Sequence, residues 1–160
     1  MLILARTPQF MRFWIGGVFN DVGMHMYLLV HGWLMFSISG SAFWVGAAAG
    51  VSGLAMLGFG VVGGVLADRF DRRKLLAFSQ IIQASTALGL AAVVSLGAVD
   101  MWHVLLMAFI DGAVTSVKMP SRFALTLDLA GRAHVLSATA ASYVSMTAMS
   151  VVVPLAGGMI

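Results

Sequence analysis

Apolar side chains run from Phe13 to about Ile38 with few strongly polar positions among them, and the same texture returns four more times along the chain. The breaks between these runs are short. SGSAF at residues 39–43 carries no charge, DRFDRRK at 68–74 is dense with it, GAVD fills 97–100, and KMPSRFALTLDLAGRAH at 118–134 is the longest polar break. The runs so divided cover about 13–38, 44–67, 75–96, 101–117 and 135–160. They are too long for strands and lack period-two alternation, so the pattern predicts an all-α chain of five helices. At a rise of ~1.5 Å per residue each can cross a ~30 Å hydrocarbon core, the fourth only barely. Pro120 is expected to stop that fourth helix and Pro154 to bend the fifth. The opening MLILARTPQFMRFW invites comparison with a secretory signal. The apolar run behind it is too long for one and is interrupted by Asp21, so it is assigned as a spanning helix.

Composition supports the membrane reading. Hydrophobic residues make up 61% of the 160 residues and charged ones 9%, with a mean hydropathy of +1.00. A soluble domain carries roughly a quarter charged residues, so this chain has too little polar surface to cover itself and its solvent is the lipid bilayer. The absence of cysteine removes disulfides, thiolate metal sites and thiol nucleophiles. A pI near 10.0 would fit a nucleic-acid partner, but the basic residues sit in short breaks between apolar runs, and no such partner is expected.

The distribution of charge predicts orientation. Arg6 and Arg12 precede the first run, Arg69, Arg72, Arg73 and Lys74 lie between the second and third, and Lys118, Arg122 and Arg132 lie between the fourth and fifth. These are all nine basic residues. Odd–even alternation places the three clusters on one side, which by the positive-inside rule predicts a cytoplasmic N-terminus in the cell membrane.

Few residues offer chemistry. Asp21 lies nine residues beyond Arg12 and Asp111 seven before Lys118, so both fall roughly 10–13 Å inside the membrane by helix rise. An ionised aspartate there costs several kcal/mol, which makes a cavity-facing or protonated side chain the expectation. His25 follows Asp21 at i+4, and Asn20 widens this polar stripe. His25 and His31 are six apart and point in different directions, a poor metal pair, so neither metal nor cofactor is expected. His103, beside Trp102, suits an interfacial anchor, and His134 closes the last polar break. Gly46 and Gly50, then Gly60 and Gly64, are each four apart, a spacing that lets helices approach closely. Ser137, Ala138, Ala141, Ser142 and Ser145 give the fifth helix the same small-residue character, and Trp14, Trp33, Trp44 and Trp102 fall near run ends, as an aromatic belt predicts. Sequences of the G-x-S-x-G, H-E-x-x-H or phosphate-cradling type do not occur.

The charged break resembles the loop between helices two and three of the major facilitator superfamily, approximately G-x-x-x-D-R-x-G-R-R. Gly64, Asp68, Arg69, Arg72 and Arg73 stand at those positions, and Asp71 replaces the second glycine, as is typical of the branch holding siderophore exporters and macrolide efflux proteins. FMRFWIGGVFNDVG resembles that branch's start and WLMFSISGSAFWVG its first outer turn. WHVLLMAFIDG is similar to the start of its fourth helix, MPSRFAL to its loop four–five, and PLAGGMI to its fifth helix. Two features depart from the pattern: Lys118 where the branch usually has an acid, and Val153 in place of a glycine before Pro154.

The resemblance implies a twelve-helix fold in two halves, of which this chain would be the N-terminal five helices, a fragment or the product of a broken gene. The missing C-terminal half would be its partner, and a small amphipathic drug-like or siderophore-like compound the substrate of the full-length transporter. Helices one, two, four and five would line the cavity, with helix three peripheral. The acid matching Asp68 would pair with the other half to hold the outward-open state. Within this chain its partner by spacing is Arg72, at i+4 if the helix continues. From their depth in the membrane, and not from the resemblance, Asp21 and Asp111 are expected to titrate and couple proton entry to substrate exit, the alternative being two structural polar groups hydrogen-bonded to neighbouring helices. An intramembrane hydrolase built on the two aspartates and a non-transporting five-helix assembly protein are the alternatives.

Overall fold

A computed structural model describes residues 8–131 and 134–158, and nearly all of them are helical. The helices are α1 (Pro8–Ser39), α2 (Ala42–Arg69), α3 (Arg72–Ser95), α4 (Met101–Ala130) and α5 (Val135–Gly157). Each is long and apolar enough to cross a membrane. Arg6 and Arg132 lie outside the described residues.

The turns form where the polar breaks predict them. Gly40 and Gly97 adopt φ of 64° and 67° just past α1 and α3, the left-handed conformation that ends helices and that a Cβ disfavours. The amide of Gly40 returns to Phe36 O at 2.8 Å and that of Gly97 to Val94 O at 3.0 Å, satisfying carbonyls the helices leave open. Ser41 opens α2, its hydroxyl accepting from Phe43 N at 3.3 Å. Asp100 opens α4 reciprocally: its carboxylate accepts from Met101 N at 2.6 Å while its own amide donates to His103 Nδ1 at 3.1 Å. His103 therefore serves as a capping residue, and His134 as the N-cap residue of α5.

Three expectations are corrected. First, α1 already includes Pro8, ahead of Phe13. Second, α4 does not stop at Pro120 but runs through it to Ala130. An interior proline costs about 3 kcal/mol, mainly through a lost hydrogen bond and a ring clash. Packing beyond it offsets that cost, because Leu129 and Ala130 join a core with Phe10, Trp14 and Ala138. The stop falls at Gly131, with φ of 68°. Third, α2 does not continue from Asp68 to Arg72. It ends at Arg69, and α3 starts anew at Arg72, so the i+4 geometry is absent.

Two compact units make up the chain. One takes in the chain to Val30 and from Phe123 onward. Its core is the Phe10 cluster just named, and Trp14 Nε1 donates to Ala141 O at 3.3 Å. The second, His31–Arg122, is centred on Leu34, Met35, Ala48, Leu90, Val104 and Ala108. Both units reverse the soluble-protein pattern. Large apolar groups such as Leu57 (78% exposed) and Val61 (80%) face outward, while Asp21 (1%) and Lys118 (3%) are buried. Polar groups turned inward and hydrocarbon turned outward suit a lipid solvent.

Within the second unit α2 and α4 touch backbone to backbone. A Cβ on Gly112 would collide with Ser52 O, and one on Gly63 with Ser116 O. Ser116 O is the carbonyl whose i+4 donor Pro120 removes, so the proline's orphan acceptor lies against the glycine. The Ser116 hydroxyl donates to Ala113 O at 2.7 Å and approaches Phe59 O at 3.3 Å. Within the described residues the close approach of α2 to α4 is made at Gly63 and Gly112, and not at Gly46, Gly50, Gly60 or Gly64. Those four have no atom within 4 Å of where a Cβ would stand. Gly63 is one position from Gly64, which on a helix is a turn of about 100° to another face.

Candidate functional site

Residues 75–95 of α3 carry no charged side chain, but Gln83 sits in that run, half-buried. Opposite it, α4 presents Asp111 and Lys118, seven residues and so two turns apart on one face. Gln83 spans the gap between them. Its Nε2 donates to Asp111 Oδ1 at 2.5 Å, and its Oε1 accepts from Lys118 Nζ at 2.6 Å. The amide is oriented by its neighbours, because an ammonium can only donate and an ionised carboxylate only accept. A lysine and an aspartate thus share one bridging amide between two helices, in a chain that has few charges.

This arrangement changes the role of two residues. Lys118, expected in a cytoplasmic loop, is inside α4 and buried. Asp111, expected to be cavity-facing or protonated, directs a carboxyl oxygen to Gln83 on α3. Sequence reasoning missed Gln83 altogether. The signal was available: a strongly polar amide in the middle of a spanning run, where an unsatisfied polar group is expensive.

In the other unit, Asp21 is almost wholly buried, and Asn20 Nδ2 donates to Asp21 Oδ1 at 3.5 Å. His25 reaches back to Asp21, but to its backbone: Nδ1 donates to Asp21 O at 2.7 Å. The i+4 spacing therefore joins imidazole to main chain. His31, on the same helix, is buried as well.

The hairpin motif splits across two helix ends. Asp68 and Arg69 close α2, exposed, and Phe70 N returns to Leu66 O at 3.0 Å. Arg72 and Arg73 open α3, while Gly64 lies a turn and a half inside α2. Asp71, at the position where the resembled motif has glycine, is the N-cap of α3, and its Oδ1 accepts from Arg73 N at 2.8 Å. Its negative charge also suits a helix start that carries three basic residues in succession. Asp71→Ala is expected to destabilise the chain by about 1 kcal/mol, whereas Asp71→Asn keeps the acceptor and stays close to wild type. Thermal unfolding in detergent, followed by circular dichroism, checks both.

Below this hairpin lies an apolar groove of about 450 Å³, walled by Phe70, Phe78, Phe109 and aliphatic neighbours from α2, α3 and α4. Ser79 is its one hydroxyl-bearing wall residue, so the groove suits hydrocarbon and not charge.

Comparison with known proteins adds a family. A family model described as transmembrane secretion effector matches residues 4–160. The enterobactin exporters EntS of Shigella flexneri, of Citrobacter koseri and of Escherichia coli O1:K1 are each 29% identical to the chain over 120 residues. The match covers 75% of this chain and 29% of each relative, so the chain spans less than a third of the length of the relatives it matches. No solved structure matches significantly.

Proposed function

The chain belongs to the transmembrane secretion effector family of the major facilitator superfamily, and from that premise we propose that it is the N-terminal portion of a proton-coupled secondary exporter of small amphipathic compounds, drug-like or siderophore-like. It is a multi-pass membrane protein of a transporter family and not an enzyme. Transport would proceed by alternating access between this part and a C-terminal half that completes the cavity. The proposed site is the inner membrane, with the N-terminus and the α2–α3 hairpin in the cytoplasm.

The observation that carries the reading is the pair of ionisable groups on α4, Lys118 buried and Asp111 half-buried. Lys118 and Asp111 are held through Gln83 in a segment where ionised groups are otherwise excluded. Intramembrane acids with a defined partner mark ion pathways more often than they mark simple packing. Asp111 is the first coupling candidate on this ground. Asp21 and His25 are the second, because Asp21 is buried at depth in α1. Gly64, Asp68, Arg69, Arg72 and Arg73 form the proposed gating motif of the cytoplasmic hairpin. The test is efflux of a labelled cargo from liposomes under an imposed pH gradient. The full-length transporter is expected to respond to the gradient, and the 160-residue chain alone to move nothing. Gradient-independent efflux from the full-length transporter would remove the proton.

Orientation has its own test. The sequence contains no cysteine, so Arg73→Cys places a single thiol in the exposed hairpin. A membrane-impermeant maleimide is expected to label it only after sealed cells are opened. Labelling in intact cells would invert the topology.

A further inference from the structure

Lys118 has no place in the coupling scheme as proposed so far, yet it is the more unusual member of the pair. A lysine at 3% exposure has to be matched by charge and by acceptors, and long basic side chains near helix ends ordinarily extend outward instead. Here Nζ is turned to Gln83 at 2.6 Å. The helices of the same unit supply few other ionisable groups. On α2, residues 42–67 contain no titratable side chain, and on α3 the only charged groups are Arg72, Arg73 and Lys74 in its first turn. The short stretch of α1 in this unit adds His31. On α4 the remaining titratable groups are His103, two turns before Asp111, Arg122, one turn beyond Lys118, and Asp128, ten residues beyond Lys118 in the part of the helix that belongs to the other unit. On the helix face that Gln83 joins, Asp111 and Lys118 are each other's opposite charge.

We infer that Lys118 is the fixed counter-ion of Asp111, positioned through the Gln83 amide, and that this α3–α4 bridge as a whole is the proton-binding site. The inference rests on the coupling reading above and deepens it by naming two positioning residues. With Asp111 ionised the bridge is neutral overall and the amide satisfies both ends. When Asp111 takes up a proton its carboxyl becomes a donor, the amide–carboxylate contact loses its charge assistance, and Lys118 is left as a net positive charge between α3 and α4. Protonation therefore changes both the charge of the site and the bond that ties the two helices, which is what a coupling site has to do. The bridging amide keeps the two charges apart while linking them, so loss of Gln83 weakens the link without removing a charge.

The experiment reads the protonation state directly. Dicyclohexylcarbodiimide adds to protonated carboxyls in apolar surroundings and remains as an N-acylurea, and peptide mass spectrometry of the chain in lipid nanodiscs quantifies it at Asp111 across a pH series. Wild type is expected to resist labelling at neutral pH and to react as pH falls. Lys118→Met is expected to raise the neutral-pH rate by about tenfold or more, because removing a nearby cation favours the neutral acid. Gln83→Leu is expected to fall between the two. Lys118→Arg, which keeps the charge, is expected to restore the wild-type profile and thereby separates charge from folding. A Lys118→Met profile that superimposes on wild type overturns the counter-ion assignment, and so does a Lys118→Arg profile that follows Lys118→Met. These readings need no transport, so they stand apart from the coupling reading. If labelling shifts as expected but pH-driven efflux of the full-length Lys118→Met transporter keeps its pH profile, the bridge is not where the proton couples.

Discussion

Gly112→Leu is expected to prevent stable assembly of α2 against α4. The Cβ alone would overlap Ser52 O, and the nearby atoms are all backbone, so no side chain can rotate away. Relief requires moving one helix from the other, which breaks the neighbouring Gly63–Ser116 contact and the approach of the Ser116 hydroxyl to Phe59 O. Overpacking of this kind costs about 1–3 kcal/mol where a core can adjust, and a backbone clash lies at or above the upper end. Gly46→Ala and Gly50→Ala meet nothing within 4 Å. They should be neutral or stabilise slightly, by about 0.5–1 kcal/mol, since alanine is the better helix former. The check is the yield of monodisperse protein and its unfolding midpoint in detergent, measured side by side for the three variants. Equal midpoints for Gly112→Leu and Gly46→Ala would mean that α2 and α4 do not meet at Gly112.

That contrast shows what a sequence can and cannot reveal. Five apolar runs and their breaks identified five helices, because bilayer thickness is a constraint each segment meets alone. The turn at Gly97 and the charged hairpin were legible for the same reason. Which glycine faces a neighbour was not, since the faces at Gly63 and Gly64 differ only by how α2 is rotated. The continuation of α4 through Pro120 was not legible either. Proline's cost is local and visible in the sequence, whereas the gain from seating Ala130 against Phe10 and Ala138 is tertiary. Asp71 could have been read as a helix cap, because it directly precedes a helical run at a break and has the side chain that caps.

Lys118 was misplaced through the counting of charges, which assigns every cation to a loop. The length of α4 resolves this. Thirty residues rise about 45 Å, well beyond a ~30 Å core, so part of the helix must project past the hydrocarbon. If Met101 marks one boundary, the other falls near Pro120. Lys118 then lies just inside it and Arg122 just outside, and the charges of the hairpin and the N-terminal segment still support the proposed orientation. Asp111 falls at mid-depth on the same scale.

Asp111→Asn in the full-length transporter is expected to abolish pH-driven efflux, with a loss of about a hundredfold or more. Asparagine keeps the volume and still offers an oxygen to Gln83 Nε2, but it cannot ionise, so Lys118 loses its countercharge. Removing one partner of a fully buried pair typically costs about 3–5 kcal/mol, an upper bound here because Asp111 is half-buried, and about 1.4 kcal/mol corresponds to a tenfold change. A single variant confuses lost coupling with lost stability. The double variant Asp111→Asn with Lys118→Met separates them, because removing both partners of a buried pair costs far less than removing one. It should recover the unfolding midpoint while efflux stays unresponsive to the pH gradient. Cargo exchange without a gradient, which needs alternating access but no net proton movement, should persist in that double variant. If it instead regains gradient-driven efflux with its stability, the bridge is packing and the coupling falls to Asp21, whose Asp21→Asn variant then has to show the loss. If efflux is unchanged in both aspartate variants, neither residue couples protons to transport.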